Sequence, residues 1–331
     1  MRTPEQLIQG MNGLTALVVG DVMVDAYLWG RVDRISPEAP VPVVRVTDRS
    51  ARLGGAANVA LNVHALGATP IVLSSVGADD ESARLQHLFK QAGLATNGLV
   101  SSPLRHTTVK TRIISGHQHI VRVDDEMDSD LSATDADALI ARAEALFASH
   151  KPDVVILEDY DKGVLTERTI PALIALAKRN NVPVAVDPKK RNFFAYKGVE
   201  LFKPNLKELR EGLKMEIRSG DIDQVKASVI QLEKVLGNGI SLITLSEHGV
   251  YAHKGTEEHA MDAHTREIAD VSGAGDTVIA VAALCLAQRS GLRELAALSN
   301  LAGGLVCEHV GVMPIAPDEL LAEAKRLGSA L

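Results

Sequence analysis

The run Asp270-Val-Ser-Gly-Ala-Gly-Asp276-Thr passes directly into Val-Ile-Ala-Val-Ala-Ala-Leu-Cys-Leu-Ala, an apolar stretch with the character of a buried helix. Gly273 and Gly275 allow the backbone to approach a ligand closely. A helix starting there aims its unpaired N–H groups and the positive end of its dipole at the same point, which suits a phosphate. Asp276, in the first turn, is then placed to take a proton from a hydroxyl attacking the γ-phosphate of a bound nucleotide. Read alone, the segment is equally a plain loop followed by an acid favoured by the helix dipole.

Two further runs carry polar groups at positions where ligands gather. Gly54-Gly55-Ala-Ala-Asn58-Val-Ala-Leu-Asn62 is a second glycine-rich entry to a helix. Its small residues let sugar hydroxyls reach the backbone, and the Asn58 amide can both donate and accept. Close helix packing with Asn58 as an N-terminal cap explains the same residues. Gly20-Asp21-Val-Met-Val-Asp25 ends an apolar strand, the edge at which open α/β sheets bind ligands, and a carboxylate there suits a polyol.

The elements that must position these runs alternate. Buried strands are expected at 14–21, 70–76, 153–159, 182–187 and 240–245, and amphipathic helices at 55–66, 81–91, 134–149, 167–180 and 223–236. Beyond Gly273 three helices follow, at about 275–289, 292–309 and 317–327. The rhythm predicts a doubly wound α/β fold. Two segments break it. Residues 27–46 hold three prolines and the strand-like Val41-Pro-Val-Val-Arg-Val46, and 107–123 alternate β-branched with polar residues around Gly116. Together they predict a small projecting sheet, a lid whose apolar strands at 41–46 and 109–114 suggest a homodimer.

Composition removes other classes. The chain has 331 residues, 46% apolar and 23% charged, and no run near the ~18 apolar residues of a membrane span. A mixed, polar N-terminus argues against a signal peptide, so a cytoplasmic location is expected. A net charge of −7 disfavours nucleic acid and anionic membrane as partners. The two cysteines, Cys285 and Cys307, lie in apolar helical surroundings and read as free thiols. A dinucleotide-binding oxidoreductase would show Gly-x-Gly-x-x-Gly after the first strand, and none is present.

The order Gly-Asp-x-x-x-Asp, Gly-Gly-Ala-Ala-Asn, Asp-x-x-Gly-Ala-Gly-Asp resembles the ribokinase-like, PfkB-type carbohydrate kinases over essentially the whole chain. Arg34-Ile-Ser-Pro-Glu-Ala-Pro-Val-Pro-Val-Val44 and Leu53-Gly-Gly-Ala-Ala-Asn-Val-Ala60 are similar to the heptose 7-phosphate kinases of that family. The resemblance implies one kinase domain over 1–331, with a mostly parallel sheet flanked by helices and a β-sheet lid; the nucleotidylyltransferase domain that follows the kinase in bifunctional relatives is not expected within these 331 residues. It implies ATP-dependent phosphorylation of O1 of D-glycero-D-manno-heptose 7-phosphate, a step toward ADP-heptose and lipopolysaccharide, with Mg²⁺ and with a monovalent cation left open.

By position, Asp276 is the implied base, and the N–H groups of Gly273, Ala274 and Gly275 the implied anion hole. Asp21, Gly54, Gly55 and Asn58 are implied sugar contacts. Asn205-Leu-Lys-Glu208 matches an Asn-x-x-Glu motif implied to arrange Mg²⁺ through water, although Asn and Glu at this spacing also form a helix-capping box. Thr244-Leu-Ser-Glu-His-Gly249 stands where the family has Thr-x-Gly-x-x-Gly beside ATP, with Ser246 in place of the first glycine. Asn300 and Gly303 fall on helices implied to wall the adenine site.

A phosphorylated sugar needs cations, because a desolvated phosphate without paired donors is costly. Lys110 and Arg112 on the lid and Asp187-Pro-Lys189-Lys190-Arg191 after a strand are the candidates, with Arg112 and Lys189 preferred and Asp187 beside them. His117 and His119 share a strand face without acids or cysteines nearby and read as lid-surface histidines rather than a metal site. A kinase for another sugar phosphate and a non-catalytic nucleotide- or sugar-binding regulator remain alternatives. The intact Gly273-Ala-Gly-Asp276 counts against the second, since a binder needs no base.

Overall fold

The chain alternates helices and strands, and its elements are named here in order. The first half contains α1 (Pro4–Gln9), β1 (Thr15–Gly20), β2 (Val22–Ile35), β3 (Pro42–Gly55), α2 (Ala56–Ala65), β4 (Thr69–Gly77), α3 (Asp80–Gln91), β5 (Leu99–Ser102), β6 (Thr108–Ser115), β7 (Gln118–Asp125), α4 (Ala133–His150) and β8 (Val154–Glu158). The second contains α5 (Thr169–Arg179), β9 (Val184–Asp187), β10 (Leu201–Phe202), α6 (Leu206–Leu213), α7 (Ile222–Leu236), β11 (Ile240–Thr244), β12 (Val250–Lys254), β13 (Glu257–Met261), α8 (Ala274–Ala287), α9 (Leu292–Val306) and α10 (Pro317–Leu327). This computed structural model describes residues 2–116, 118–264, 268–309 and 311–328. His117 lies outside the described residues.

Nine strands form the main sheet in the order β13-β12-β11-β10-β9-β8-β1-β4-β5, parallel from β11 to β5 and antiparallel at β12 and β13. Strand β1 shows why the centre is buried on both faces. Ala16 and Val18 pack with α2, α8 and α9, while Leu17 and Val19 pack with α4, α5 and α7. No helix among the described residues is long and apolar enough to cross a membrane.

The lid is a separate four-stranded sheet, β3-β2-β6-β7, in which β2 pairs antiparallel with β3 and parallel with β6. Its hairpin is longer than the 27–46 read from sequence. Strands of 14 residues each run from Val22 and return to Gly55, so the lid is continuous with both glycine-rich runs at its base. Register shifts at Trp29/Gly30 and Val32/Arg34 interrupt the period-two pattern and obscure these strands in the sequence.

The three C-terminal helices fall within a few residues of their expected bounds. Cys285 is buried in α8, Cys307 is half-buried at the end of α9, and both are free thiols.

Candidate active site

Four strands end side by side opposite the start of α8. The register sets Gly20 beside Glu158 and Glu158 beside Asp187, and Lys203 follows β10 directly. Gly20 is demanded by this closeness, because a Cβ there would stand 1.9 Å from the Glu158 carbonyl oxygen. Above this row Gly273 precedes the first residue of α8, with a φ of 82° that is costly for any residue with a Cβ. A Cβ on Gly273 would also stand 2.9 Å from Asn58 Nδ2, so the anion-hole loop and the Gly54-Gly55 helix are packed against each other.

Asp276 is buried at that junction. Its Oδ2 accepts from Asn58 Nδ2 at 2.6 Å and its Oδ1 from the Tyr160 hydroxyl at 2.8 Å. Burial pushes its carboxyl up to about 6. The bonds from Asn58 and Tyr160 oppose that rise, Asp187 adds to it and Lys203 opposes it. A carboxylate so poised is a proton acceptor near neutral pH.

Oxygens of Glu158, Asp187 and Asp276 lie within 4.8 Å of one another. Lys203 Nζ pairs with Asp187 Oδ2 at 2.8 Å, and Lys189 Nζ with Glu208 Oε1 at 2.8 Å while lying 5.3 Å from the centre of the Tyr160 ring. Glu158 is fully buried, and neither of its oxygens has a hydrogen-bond partner among the described residues. Burial, reinforced by Asp187 and Asp276, drives its carboxyl well above the ordinary range. Asn58 Oδ1 is a second buried acceptor without a partner there. An unsatisfied buried polar group costs about 1–3 kcal/mol, so two of them at one site suit ligands that bring a donor and a cation.

The residues expected from sequence are used in several ways. Asp21 accepts N–H bonds from Tyr160 (3.0 Å), Lys162 (3.1 Å) and Val164 (3.1 Å), fixing the loop that carries Tyr160. Gly54 leaves room for Asp25, whose carboxylate would stand 2.6 Å from a Cβ there, and Gly55 turns the chain into α2 with φ of 61°. Arg112 is paired with Asp25 and lies over the Tyr27 ring. The Ala274 N–H reaches the Val271 carbonyl at 3.3 Å, and Gly275 faces Asp187 and Lys203.

Asn205 and Glu208 form the capping box of α6, with both bonds at 2.8 Å. Ser246 holds the left-handed conformation (φ 55°) that a glycine adopts more easily. Gly249 turns against the Met261 carbonyl. Asn300 Nδ2 donates to the Asp262 carbonyl at 2.9 Å on the wall of a cleft of about 380 Å³, also lined by Met261, His264, Arg293 and Ala297. Gly303 lets α9 approach α8, since a Cβ there would lie 2.6 Å from Val278 Cγ2.

Glu158, Tyr160 and Lys203 were not singled out from sequence. The signal available was position alone: each stands at or just past the end of an apolar strand, in Val-Val-Ile-Leu-Glu158-Asp-Tyr160 and Leu-Phe-Lys203.

Known proteins match this chain at three levels. The pfkB family carbohydrate kinase pattern matches residues 14–319. Bifunctional protein HldE of Caulobacter vibrioides is 45% identical over 318 residues, 96% of this chain and 64% of that protein. Bifunctional protein HldE of Trichlorobacter lovleyi is 41% identical over 319 residues, again 96% and 64%. The chain thus spans less than two thirds of the length of these relatives. Among solved structures, phosphofructokinase-2 from Escherichia coli in complex with substrates and products superposes with a TM-score of 0.77 at 17% identity, covering 95% of this chain and 99% of that one. Arabidopsis thaliana ribokinase complexed with ribose and ATP gives 0.73 at 17%, covering 95% and 99%. At that identity the likeness is one of fold.

Proposed function

This chain belongs to the pfkB family of carbohydrate kinases, and on that footing we propose that it transfers the γ-phosphoryl group of ATP to O1 of D-glycero-D-manno-heptose 7-phosphate, giving the 1,7-bisphosphate and ADP. One observation carries the chemistry. Asp276, the acid poised near neutral pH, is bound by Asn58 Nδ2, while Asn58 Oδ1 is left as a buried acceptor. A sugar hydroxyl donating to Asn58 Oδ1 would lie beside the carboxylate that takes the proton of the attacking hydroxyl. The heptose follows from the 34–44 and 53–60 stretches and from the 38–45% identity to proteins named HldE.

The roles follow from placement. Asp276 accepts the hydroxyl proton as O1 attacks, and Asn58 and Tyr160 hold the carboxylate in position. The N–H groups opening α8 and its dipole stabilise charge developing on the transferred group. Lys203 and Lys189, each paired with an acid, supply positive charge at the same edge. The hard oxygen donors of Glu158 and Asp187, the former unpartnered, fit Mg²⁺, and Asn205 and Glu208, engaged in their capping box, suit contact through water. When bound with ATP, the ion would neutralise charge between the phosphate oxygens. The cleft by Asn300 suits the nucleotide base.

The test is ADP release across sugars and sugar phosphates. Heptose 7-phosphate should give the largest kcat/KM by at least about tenfold, equivalent to roughly 1.4 kcal/mol of transition-state discrimination. A larger value for fructose 6-phosphate or another sugar phosphate would replace the substrate and leave the kinase. A homodimer is proposed as well. The outer lid face aligns Leu28, Ile113 and Val121, and Val121 and Val123 are 48% and 51% exposed. Light scattering should report twice the chain mass, and a strictly monomeric solution at micromolar concentration would remove the dimer.

A further inference from the structure

The inner face of the lid carries a cluster of charge. Register places Asp25 opposite Lys110, Tyr27 opposite Arg112, and Lys110 opposite Asp124, all on one side of the sheet. Arg112 is matched by Asp25, and Asp124 by the more exposed Arg122 at 2.9 Å. Lys110 and Lys162 converge on a shared carboxylate: Lys110 Nζ lies 2.6 Å from Glu126 Oε2 and Lys162 Nζ 2.8 Å from Glu126 Oε1, while Lys110 Nζ also lies 3.3 Å from Asp124 Oδ2. Both ammonium groups are largely shielded, with side chains 14% and 15% exposed. They come from different parts of the molecule. Lys110 belongs to lid strand β6, whereas Lys162 belongs to the body loop after β8, two residues from the Tyr160 that touches Asp276.

We infer that Lys110 and Lys162 form the seat for the phosphate that the sugar already carries, and that Glu126 occupies this seat as an internal counter-ion until substrate displaces it. The inference rests on the sugar phosphate reading above and assigns the distal end of that substrate. Two shielded ammonium groups facing a shared acceptor are the arrangement a phosphate needs for charge-assisted hydrogen bonds to two of its oxygens. A phosphate dianion offers more charge than the single carboxylate it replaces. Glu126 is suited to yield, because it lies one residue past the end of β7 and the bonds its side chain makes are to these two lysines. Although burial pushes the Glu126 carboxyl up, the bonds from Lys110 and Lys162 hold it below its ordinary range, so it is charged at neutral pH.

The backbone around the seat is braced. The Lys162 N–H is held by Asp21, and its carbonyl accepts from Arg105, which also binds the Ser129 carbonyl at 2.9 Å. Arg105 thereby ties the loop after β8 to the 126–132 segment that carries Glu126. The seat thus joins lid and body across the substrate cleft, and filling it would draw the two together around the sugar.

Heptose 7-phosphate and unphosphorylated heptose, assayed kinetically and by calorimetry with Lys110→Met, Lys162→Met and Glu126→Gln, test this. Each Lys→Met variant should raise KM for the phosphorylated sugar by roughly 30-fold, as loss of a charge-assisted bond predicts, with KM for the unphosphorylated sugar little changed and kcat falling less. Glu126→Gln should lower KM for the phosphorylated sugar and make inorganic phosphate a stronger competitive inhibitor. Equal losses on both sugars in the lysine variants, or weaker binding in Glu126→Gln, would overturn the seat while leaving the heptose reading intact. If the wild type prefers another sugar phosphate, the heptose reading fails and the same comparison judges the seat on that substrate. If it accepts only unphosphorylated sugars, both fall. Melting curves show which variants are folded.

Discussion

Asp21 accepts three backbone N–H groups from the loop at 160–164, whereas Asp276 is held by two side chains, Asn58 and Tyr160. Both are buried, both belong to runs that marked a site in the sequence, and burial raises both carboxyls above the ordinary range. The difference lies in what each acid gives up if it changes. Protonating or moving Asp21 weakens or releases three backbone N–H bonds and loosens the Tyr160 loop. Protonating Asp276 disturbs an amide and a phenol that can both reorient, and Asn58 already holds an unpartnered oxygen. A backbone-bound acid builds the site, and one bound by side chains can do chemistry in it.

The largest expected effect breaks the comparison at Asp276. Asp276→Asn should lower kcat by about 10²–10⁴, the range of general-base catalysis, with ATP binding by calorimetry close to wild type. Its stability should move the other way. The carboxyl titrates at about 6 in the fold against 3.8 ordinarily, so the folded chain binds more protons between those values and loses stability as pH rises through them. An uncharged Asn escapes that loss, and Asn58 can turn its free oxygen toward the new amide. Above pH 6 the variant should therefore gain about 1–3 kcal/mol in denaturant unfolding. Turnover near wild type would remove Asp276 from the mechanism.

Asp21→Asn should show the opposite balance. One side of an Asn amide presents N–H groups to backbone N–H groups, so at least one buried bond is lost, at about 1–3 kcal/mol. Activity should fall through a misplaced Tyr160 loop, by less than in Asp276→Asn, and partly recover at low temperature. If Asp21→Asn keeps wild-type stability but loses all sugar binding, Asp21 is a substrate contact rather than a brace.

The contrast also explains what the sequence could carry. Gly273, Gly275, Asp276, Gly54, Gly55 and Asn58 were legible because glycine next to a helix start has few other uses, and the main strands because buried parallel strands are unbroken apolar runs. Glu158, Tyr160 and Lys203 were not. Glu158 ends β8, Tyr160 stands in the loop just past it and Lys203 directly follows β10, and only the sheet order β10-β9-β8 brings these strand ends together. Asn205 and Glu208 were read both as a metal motif and as a capping box, and the fold uses the box. Among the weaker elements, β13 (Glu-Glu-His-Ala-Met) has no apolar alternation, and α1 is a six-residue helix stabilised by its cap.

The smallest effect sharpens how Asp276 is tuned. As a base it works only when deprotonated, so kcat/KM should fall about tenfold per pH unit below about 6 and level off above. The Tyr160 hydroxyl bond favours the charged carboxylate, and removing it in Tyr160→Phe should move this acidic limb to higher pH. Phe keeps a ring beside Lys189, which lies 5.3 Å from the centre of the Tyr160 ring, so the loop and the cation stay in place. The variant should then be nearly wild type at pH 8 and clearly slower at pH 6. A uniform loss at both pH values would mean that the hydroxyl positions the substrate, and an unmoved limb would assign the titration to a group other than Asp276.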